Sequence, residues 1–175
     1  MCFSQFGFWN ALVKNASIIH LATHELGKSD GLSPFNITHM PGHQLSDARA
    51  RHNAGVPRDL RPTEAQLIHP HHPYLDLIPF ASFRQRAIDA LSANPPLIDW
   101  KQMCADISAA GMICWGGAGG ESTNIAFEMP WDARSWEPKV WFLKKYWFLV
   151  GGWEDEMWSS ARWWAAMRNE YISYA

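Results

Sequence analysis

Residues 69–80 read HPHHPYLDLIPF, a proline-rich beginning followed by an apolar end. Pro70 and Pro73 push the residues before them toward extended conformations, so successive side chains point in different directions. Residues 74–80, the apolar half, stabilise the fold only where they are buried in a hydrophobic core. We therefore predict a stiff turn that lays this half against the core and ends near the start of a helix.

The same residues supply the ligand types that zinc accepts, namely His69, His71, His72 and Asp76. A zinc site needs its ligands to converge on one point, commonly through HxxxH on a helix or through paired cysteines. Neither pattern occurs here. A structural role is the main interpretation, and a small metal-dependent hydrolase that uses this cluster is the alternative.

Asp76 lies inside the apolar run 74–78. An ionised carboxylate is costly to bury there unless it is paired or hydrogen-bonded. We expect a partner such as Arg84, Arg86 or a backbone N–H. The alternative is a carboxylic acid kept protonated so that it can serve as a general acid.

The chain has 175 residues, 47% of them hydrophobic and 18% charged, which is typical of one folded domain. Eleven residues are tryptophan, and eight of these lie from Trp131 onward. This distribution predicts a core in the C-terminal third of the chain.

The formal net charge of −2 gives no electrostatic basis for nucleic-acid binding by this chain alone. The local basic segment RARHNAGVPRDLR, residues 49–61, is more typical of a solvated loop than of a phosphate-contacting or nuclear-import patch. Direct DNA binding through this segment and Lys144–Lys145 is kept as a further hypothesis.

Three cysteines without a CxxC pair favour a reducing compartment; they are Cys2, Cys104 and Cys114. The first 20 residues lack a signal-peptide pattern, and no apolar run reaches the roughly 18 residues that cross a bilayer. We therefore expect an intracellular protein with no membrane partner.

Helical spacing predicts a first amphipathic helix over residues 8–26, stopped by Gly27. The residues at this spacing are Trp9, Leu12, Val13, Ala16, Ile19, Thr23 and Leu26. Residues 28–66 lose this periodicity and are predicted to be an irregular connection. Ser82 is expected to cap the next helix with Gln85, and Asp99 the one after, which Gly111 ends.

Residues 112–115 form a short apolar segment that fits a strand or an extended connector. The glycine-rich loop at 116–122 has neither the spacing nor the following helix of a phosphate-binding loop. Ser135 is expected to cap a strongly apolar helix that runs to Gly151–Gly152, before a last helix. Six side chains are predicted to be buried together: Leu77, Ile78, Trp141, Phe142, Trp147 and Trp158.

The predicted architecture is mainly α, a single domain of about five helices around a Trp-rich core with short extended segments. Its parts are an N-terminal helix at 1–27, the connection at 28–66 and the helical core at 67–175.

Residues Ser82, Ser135, Cys104 and Cys114 lack any nucleophile motif, so we expect no enzyme and no cofactor. The tryptophans could line a pocket for a small apolar ligand or a groove for a partner peptide, and adjacent Trp163 and Trp164 cannot easily face one core.

Four segments together resemble a domain of unknown function found downstream of the zipper in fungal basic leucine-zipper (bZIP) transcription factors. They are VPRDLRPTEAQLIHPHHPYLDLIPFASFRQRAIDAL (56–91), PPLID (95–99), CWGG (114–117) and PWDARSWEPKVWFLKKYWFLVGGWEDEMWSSARWWAAMRNE (130–170). NALVKNASII (10–19) is similar to the helix that opens that domain. The resemblance rests on these motif residues: Pro73, Tyr74, Leu75, Asp76, Leu77, Ile78, Pro79, Phe80, Trp131, Asp132, Trp136, Trp141, Trp147 and Trp158.

The resemblance implies a nuclear, non-enzymatic regulatory role with a protein partner in transcription. It supplies no catalytic residues. The chain has no basic region of the NxxxAxxxR type and no leucine heptads before Trp9, so neither DNA recognition by a basic helix nor zipper dimerisation is expected of these 175 residues.

Overall fold

The computed structural model describes residues 3–28, 30–38, 40–41, 44–115 and 129–174. The predicted glycine-rich loop and Cys2 lie outside these residues. Eight α-helices occur in the described part: α1 (Phe3–Ile18), α2 (Leu45–Asn53), α3 (Glu64–Ile68), α4 (Ala81–Ser92), α5 (Trp100–Asp106), α6 (Val140–Lys145), α7 (Trp147–Val150) and α8 (Glu156–Met167). Strands β1 (Met112–Cys114) and β2 (Trp136–Pro138) pair antiparallel. The mainly α, single-domain prediction is confirmed.

Helix α1 ends earlier than the sequence predicts. Its last turn is closed by hydrogen bonds from Leu21 N to Ala16 O at 2.8 Å and from His20 N to Ser17 O at 3.2 Å. His20 has a φ of 56°, the left-handed conformation that such a C-terminal motif requires. Because that position usually holds glycine, His20 gave no stop signal, and Gly27 instead ends a separate 3₁₀ turn, Thr23–Gly27.

The inner face of α1 is rotated from the predicted one. Trp9 and Val13 are about half exposed. The buried residues of this helix and its end are Phe8, Ala11, Leu12, Asn15, Ala16 and Ile19. The spacing of the buried set still follows a helical period, so the pattern was recognised correctly but Trp9 and Val13 were placed on the wrong side.

Residues 28–66 are less irregular than predicted, since they contain α2, a 3₁₀ turn at Arg58–Leu60 and the first turn of α3. Val56 and Leu60 from this segment are buried in the main core. Short helices with a polar exposed side leave little hydrophobic periodicity in the sequence, which is why they were not predicted.

The N-terminus of α4 is capped from another helix. Ser82 does not act as the N-cap, because the helix already begins at Ala81. The backbone N and the Oγ of Ser82 both donate to Glu156 Oε1 of α8, at 2.8 and 2.7 Å. Gln85 likewise accepts a bond from Ala65 N of α3 at 3.0 Å. The prediction for Asp99 is confirmed, because its carboxylate accepts bonds from Lys101 N and Gln102 N.

Residues 136–138 form strand β2 and not the first turn of a helix. They pair with β1 in the register Met112↔Pro138, Ile113↔Glu137 and Cys114↔Trp136. Ser135 is not a cap; its Oγ donates to Met129 O at 2.9 Å, and the helix begins only at Val140. Pairing with the predicted extended segment at 112–114 overrides the local helical preference of these residues.

The apolar run after β2 buries only one side. Phe142 and Trp158 are buried as predicted, whereas Trp141 and Trp147 are 45% and 67% exposed, so the prediction for these two was wrong. The helical run is interrupted at Tyr146 (φ −107°, ψ 34°), which separates α6 from α7. The core-facing residues are Phe142, Leu143, Tyr146, Leu149 and Val150.

The main core draws on nearly the whole chain, from Phe8 in α1 to Ala161 in α8, and is not confined to the C-terminal third. Leu77 and Ile78 are fully buried in it, as predicted. No helix in the described residues has the length and apolar character that a bilayer crossing needs.

Changing Leu77 to Ala should lower the free energy of unfolding by about 2–5 kcal/mol, because it leaves a cavity among closely packed neighbours. Urea denaturation monitored by tryptophan fluorescence measures this. Leu97→Ala, at a side chain that is 67% exposed, is the matched control and should change stability by less than about 0.5 kcal/mol. Equal losses in the two variants would contradict the packing described for Leu77.

Candidate functional site

A network of polar side chains runs through the core beneath residues 69–80. Gln66, Asp76 and Arg84 are fully buried, and the side chain of His71 is 1% exposed. Charged groups rarely lie this deep unless every one of them finds partners. The hydrogen-bond partners of these buried groups therefore determine which of them could take part in chemistry.

Arg84 joins its own helix α4 to three other parts of the chain. Its Nη1 donates to Asp59 O at 2.7 Å and Ile78 O at 2.6 Å, and its Nη2 to Arg61 O at 2.7 Å. Its Nε donates to Gln66 Oε1 at 2.9 Å. Burial lowers the pKa of Arg84 to about 10, so the guanidinium stays charged at neutral pH and depends on these acceptors.

Gln66 is the bridge between the buried cation and the buried carboxylate. Its Oε1 accepts from Arg84 and also from Thr63 N at 2.9 Å. Its Nε2 donates to Asp76 Oδ1 at 2.7 Å. Both ends of the amide are used, so its orientation is fixed by its neighbours.

His71 and Asp76 share a proton. His71 Nδ1 lies 2.8 Å from His69 O, and its Nε2 lies 2.8 Å from Asp76 Oδ1. A carbonyl oxygen only accepts, so Nδ1 carries a hydrogen. The contact from Nε2 to the carboxyl then needs a second hydrogen, held either by the imidazole or by Asp76.

The charge of Asp76 governs the titration of His71. Burial by itself lowers the pKa of His71, but the hydrogen bond and the charge of Asp76 outweigh it, and the pKa is raised from the usual 6.5. Asp76 Oδ2 is buried and has no hydrogen-bond partner among the described residues. His71 and Gln66, which share Oδ1, therefore carry the hydrogen bonding of this carboxyl group.

The predicted cluster of four metal ligands is not brought together. His71 uses both ring nitrogens within the network, and His72 faces elsewhere: its Nδ1 accepts from Tyr74 N at 3.2 Å and its Nε2 donates to Lys28 O at 2.9 Å. Within the described residues, no three His, Cys, Asp or Glu side chains are placed to hold a metal ion. The geometry gives the hydrolase alternative no assembled site.

Other predicted residues are structural or lie apart. Asp132 accepts bonds from Arg134 at the surface, beside the half-buried Trp131. Trp136 is fully buried and donates to Pro130 O at 2.7 Å. Trp163 is more exposed than its neighbour Trp164, which stacks on Trp115.

The basic segments also have structural partners. In residues 49–61, the side chain of Arg61 donates from Nε to Val56 O at 3.2 Å. Lys145 pairs with Asp106 at 2.5 Å, which offsets part of the positive charge that the DNA-binding hypothesis needs.

Two adjoining clefts open beside the network, with volumes of about 310 and 280 Å³. They share His72, Tyr74, Trp100 and Cys104. The His72 ring stacks on Trp100 with the ring centres 4.8 Å apart. His71 lines the first cleft. Tyr74, in the same 3₁₀ turn as Asp76, lines both clefts.

The fold and this buried network belong to a helical domain with an aromatic core and an open aromatic cleft. The chain is a member of the family of the domain of unknown function DUF3425, which matches residues 38–158. That family is known from bZIP-type transcription factors, and the resemblance predicted from the motifs is confirmed. No curated protein and no solved structure matches the chain.

Sequence reasoning predicted the burial of Asp76 but not its partners. The expected partner was Arg84, Arg86 or a backbone N–H, whereas the carboxyl bonds to Gln66 and His71, and Gln66 lies between it and Arg84. A signal was available at Thr63, because Thr-x-x-Gln marks a helix start and places a glutamine near it. That the other end of the glutamine points into the core could not be inferred from spacing alone.

The His71–Asp76 pair makes stability depend on pH in a defined direction. Because folding raises the pKa of His71, its contribution is complete below about pH 6.5, the unfolded value, and is lost as pH rises through the folded value. Urea denaturation from about pH 5 to about pH 9 measures the unfolding free energies of the wild type and of His71→Gln. The excess of the wild-type value over that of the variant should be largest at the acid end. A difference that grows with pH would contradict the assignment.

Proposed function

We propose that this chain is a non-enzymatic regulatory domain of a fungal bZIP-related transcription factor and acts in the nucleus through contacts with protein partners. Membership of a family known from bZIP-type factors supports the transcriptional role. The net charge of −2 favours proteins over nucleic acid as partners. The buried polar network supports a non-enzymatic role, because Arg84 and both ring nitrogens of His71 are already engaged in hydrogen bonds within the fold.

The observation that carries this proposal is a set of exposed aromatic side chains on α6 and α7. We call Trp141, Trp147 and Phe148 the outer aromatic surface; they are 45%, 67% and 39% exposed. Trp147 and Phe148 contact each other edge to face at 5.9 Å between ring centres. Tryptophan is enriched among residues that dominate protein–protein binding energy, because it buries a large area and loses little conformational entropy.

The outer aromatic surface is held by a rigid support. Phe142, Leu143, Leu149 and Val150 lie on the opposite side of the same two helices and are buried. The helices therefore present the aromatic rings without being free to fold them inward. A preformed surface of this kind lowers the entropic cost of binding a partner.

The double variant Trp141→Ser, Trp147→Ser should lose its transcriptional partners while staying folded. Affinity capture of the tagged full chain from nuclear extract, followed by mass spectrometry, measures this. Each tryptophan that anchors a partner should contribute about 2 kcal/mol or more. Tyr171→Ser, at a fully solvated position, is the matched control and should retain the partners.

Fluorescence microscopy of the tagged protein tests localisation. The proposal expects nuclear enrichment. A cytosolic distribution, together with capture of no transcriptional component by the wild-type chain, would contradict it.

A further inference from the structure

The second cleft, of about 280 Å³, has the features of a built ligand pocket. Its walls come from at least four separate parts of the fold: Trp9 from α1, residues 26–28, Tyr74 from the turn at Pro73–Leu77, and Trp100 from α5. Its volume is close to the lower end of the roughly 300–1,000 Å³ found for small-molecule sites. We call it the Lys28 pocket, because Lys28 lies at its edge.

Aromatic faces dominate the lining. Trp100 is half-buried and is held by its stack on His72. Trp9 is about half exposed, although it lies against the buried ring of Phe8 at 5.5 Å between ring centres. A planar aromatic ligand would cover ring surface that solvent now reaches, and stacking of this kind adds to the gain from burial.

Two hydroxyl groups lie in the same pocket. Tyr74 Oη and Ser108 Oγ are 3.3 Å apart, longer than the roughly 2.5–3.0 Å of a good O–H···O bond. Burial raises the pKa of Tyr74, so its phenol keeps a proton to donate. A ligand oxygen could therefore replace a weak contact with two stronger ones.

Lys28 is among the lining residues, and its backbone O accepts from His72 Nε2 at 2.9 Å. Its ammonium has three donors, and one of them reaches Glu25 at 2.6 Å in a partly exposed pair. A ligand carboxylate would use the two remaining donors of the ammonium and would not need to displace Glu25. His72 adds no positive charge, because its Nδ1 accepts and its Nε2 donates, the pattern of a neutral ring.

The thiol in the pocket does not call for covalent chemistry. Burial raises the pKa of Cys104 to about 12, so it remains a thiol at neutral pH and is a poor nucleophile. Recognition in the Lys28 pocket is therefore a matter of ring stacking, hydroxyl donors and one ammonium group.

We propose that the Lys28 pocket binds a planar aromatic carboxylate, with its ring against Trp9 and Trp100 and its carboxylate directed to Lys28. A cationic ligand of the same shape would face the ammonium, and a neutral one would leave it unused. This proposal is independent of partner binding by the outer aromatic surface.

Isothermal titration calorimetry of the full chain with three probes of matched shape tests the proposal. The probes are 1-naphthoate, 1-naphthalenemethanol and 1-naphthylmethylammonium. We expect 1-naphthoate to bind about tenfold more tightly than the alcohol, the ratio that about 1.4 kcal/mol produces, and the ammonium probe to bind most weakly. No heat from 1-naphthoate at millimolar concentration, or equal affinity for the three probes, would overturn the proposal.

Two variants separate the contribution of the Lys28 charge from that of ring stacking on Trp9. Lys28→Gln should bring the affinity for 1-naphthoate down to that for the alcohol and leave the alcohol unchanged. Trp9→Leu should lower the affinity for both 1-naphthoate and the alcohol severalfold. Trp147→Leu, an exposed tryptophan outside the pocket, is the matched control; an equal loss in this variant would show non-specific association and overturn the proposal.

Both pocket changes fall on exposed side chains, so the variants should remain folded. Circular dichroism thermal scans verify this before titration. If Trp9→Leu melts early, Lys28→Gln still decides the proposal, because only the charged probe should respond to it.

Discussion

The enclosed guanidinium of Arg84 is the constraint on which the rest of the structure depends. A charge with no solvent contact is stable in a protein only when its donors are satisfied. Arg84 places four of its five N–H donors on the carbonyls of Asp59, Arg61 and Ile78 and on the amide oxygen of Gln66. Four stretches of chain must therefore be correctly placed before the charge can be buried, and this links the fold of α4 to that of residues 58–78.

The network also connects the interior with the two clefts. In the turn at Pro73–Leu77, Asp76 points to Gln66 and His71, while Tyr74 lines both clefts. Because the hydrogen bonds of Asp76 anchor this turn in the core, the position of Tyr74 at the clefts is fixed as well. The clefts consequently have a rigid floor, and their rims at Trp9 and Lys28 are exposed.

The sequence predicted those elements whose signals are local. The burial of Leu77 and Ile78, the cap at Asp99 and the extended segment at 112–114 each follow from a few neighbouring residues, and the structure agrees with all three. The family resemblance also needed only motif residues. Local chemistry of this kind does not depend on what packs against the segment.

The features that were missed depend on tertiary contacts. A tryptophan is compatible with both a core and a binding surface, so its abundance could not tell that Trp141 and Trp147 are exposed while Trp136 and Trp158 are buried. Residues 136–138 become a strand only because β1 pairs with them. Ser82 resembles a cap, but Glu156 of a distant helix performs that role. The candidate site was therefore predicted to the level of Asp76 and its burial, whereas the bridge through Gln66 required the three-dimensional arrangement.

A double-mutant cycle between Asp76→Asn and Arg84→Gln tests most directly whether the buried polar groups act as one unit. The two side chains are linked through Gln66 and do not bond to each other. If the network is cooperative, the loss of unfolding free energy in the double variant should differ from the sum of the single losses by about 0.5–3 kcal/mol in urea denaturation at neutral pH. Losses that add to within about 0.3 kcal/mol would show that Arg84 and Asp76 are buried independently, and would contradict the account.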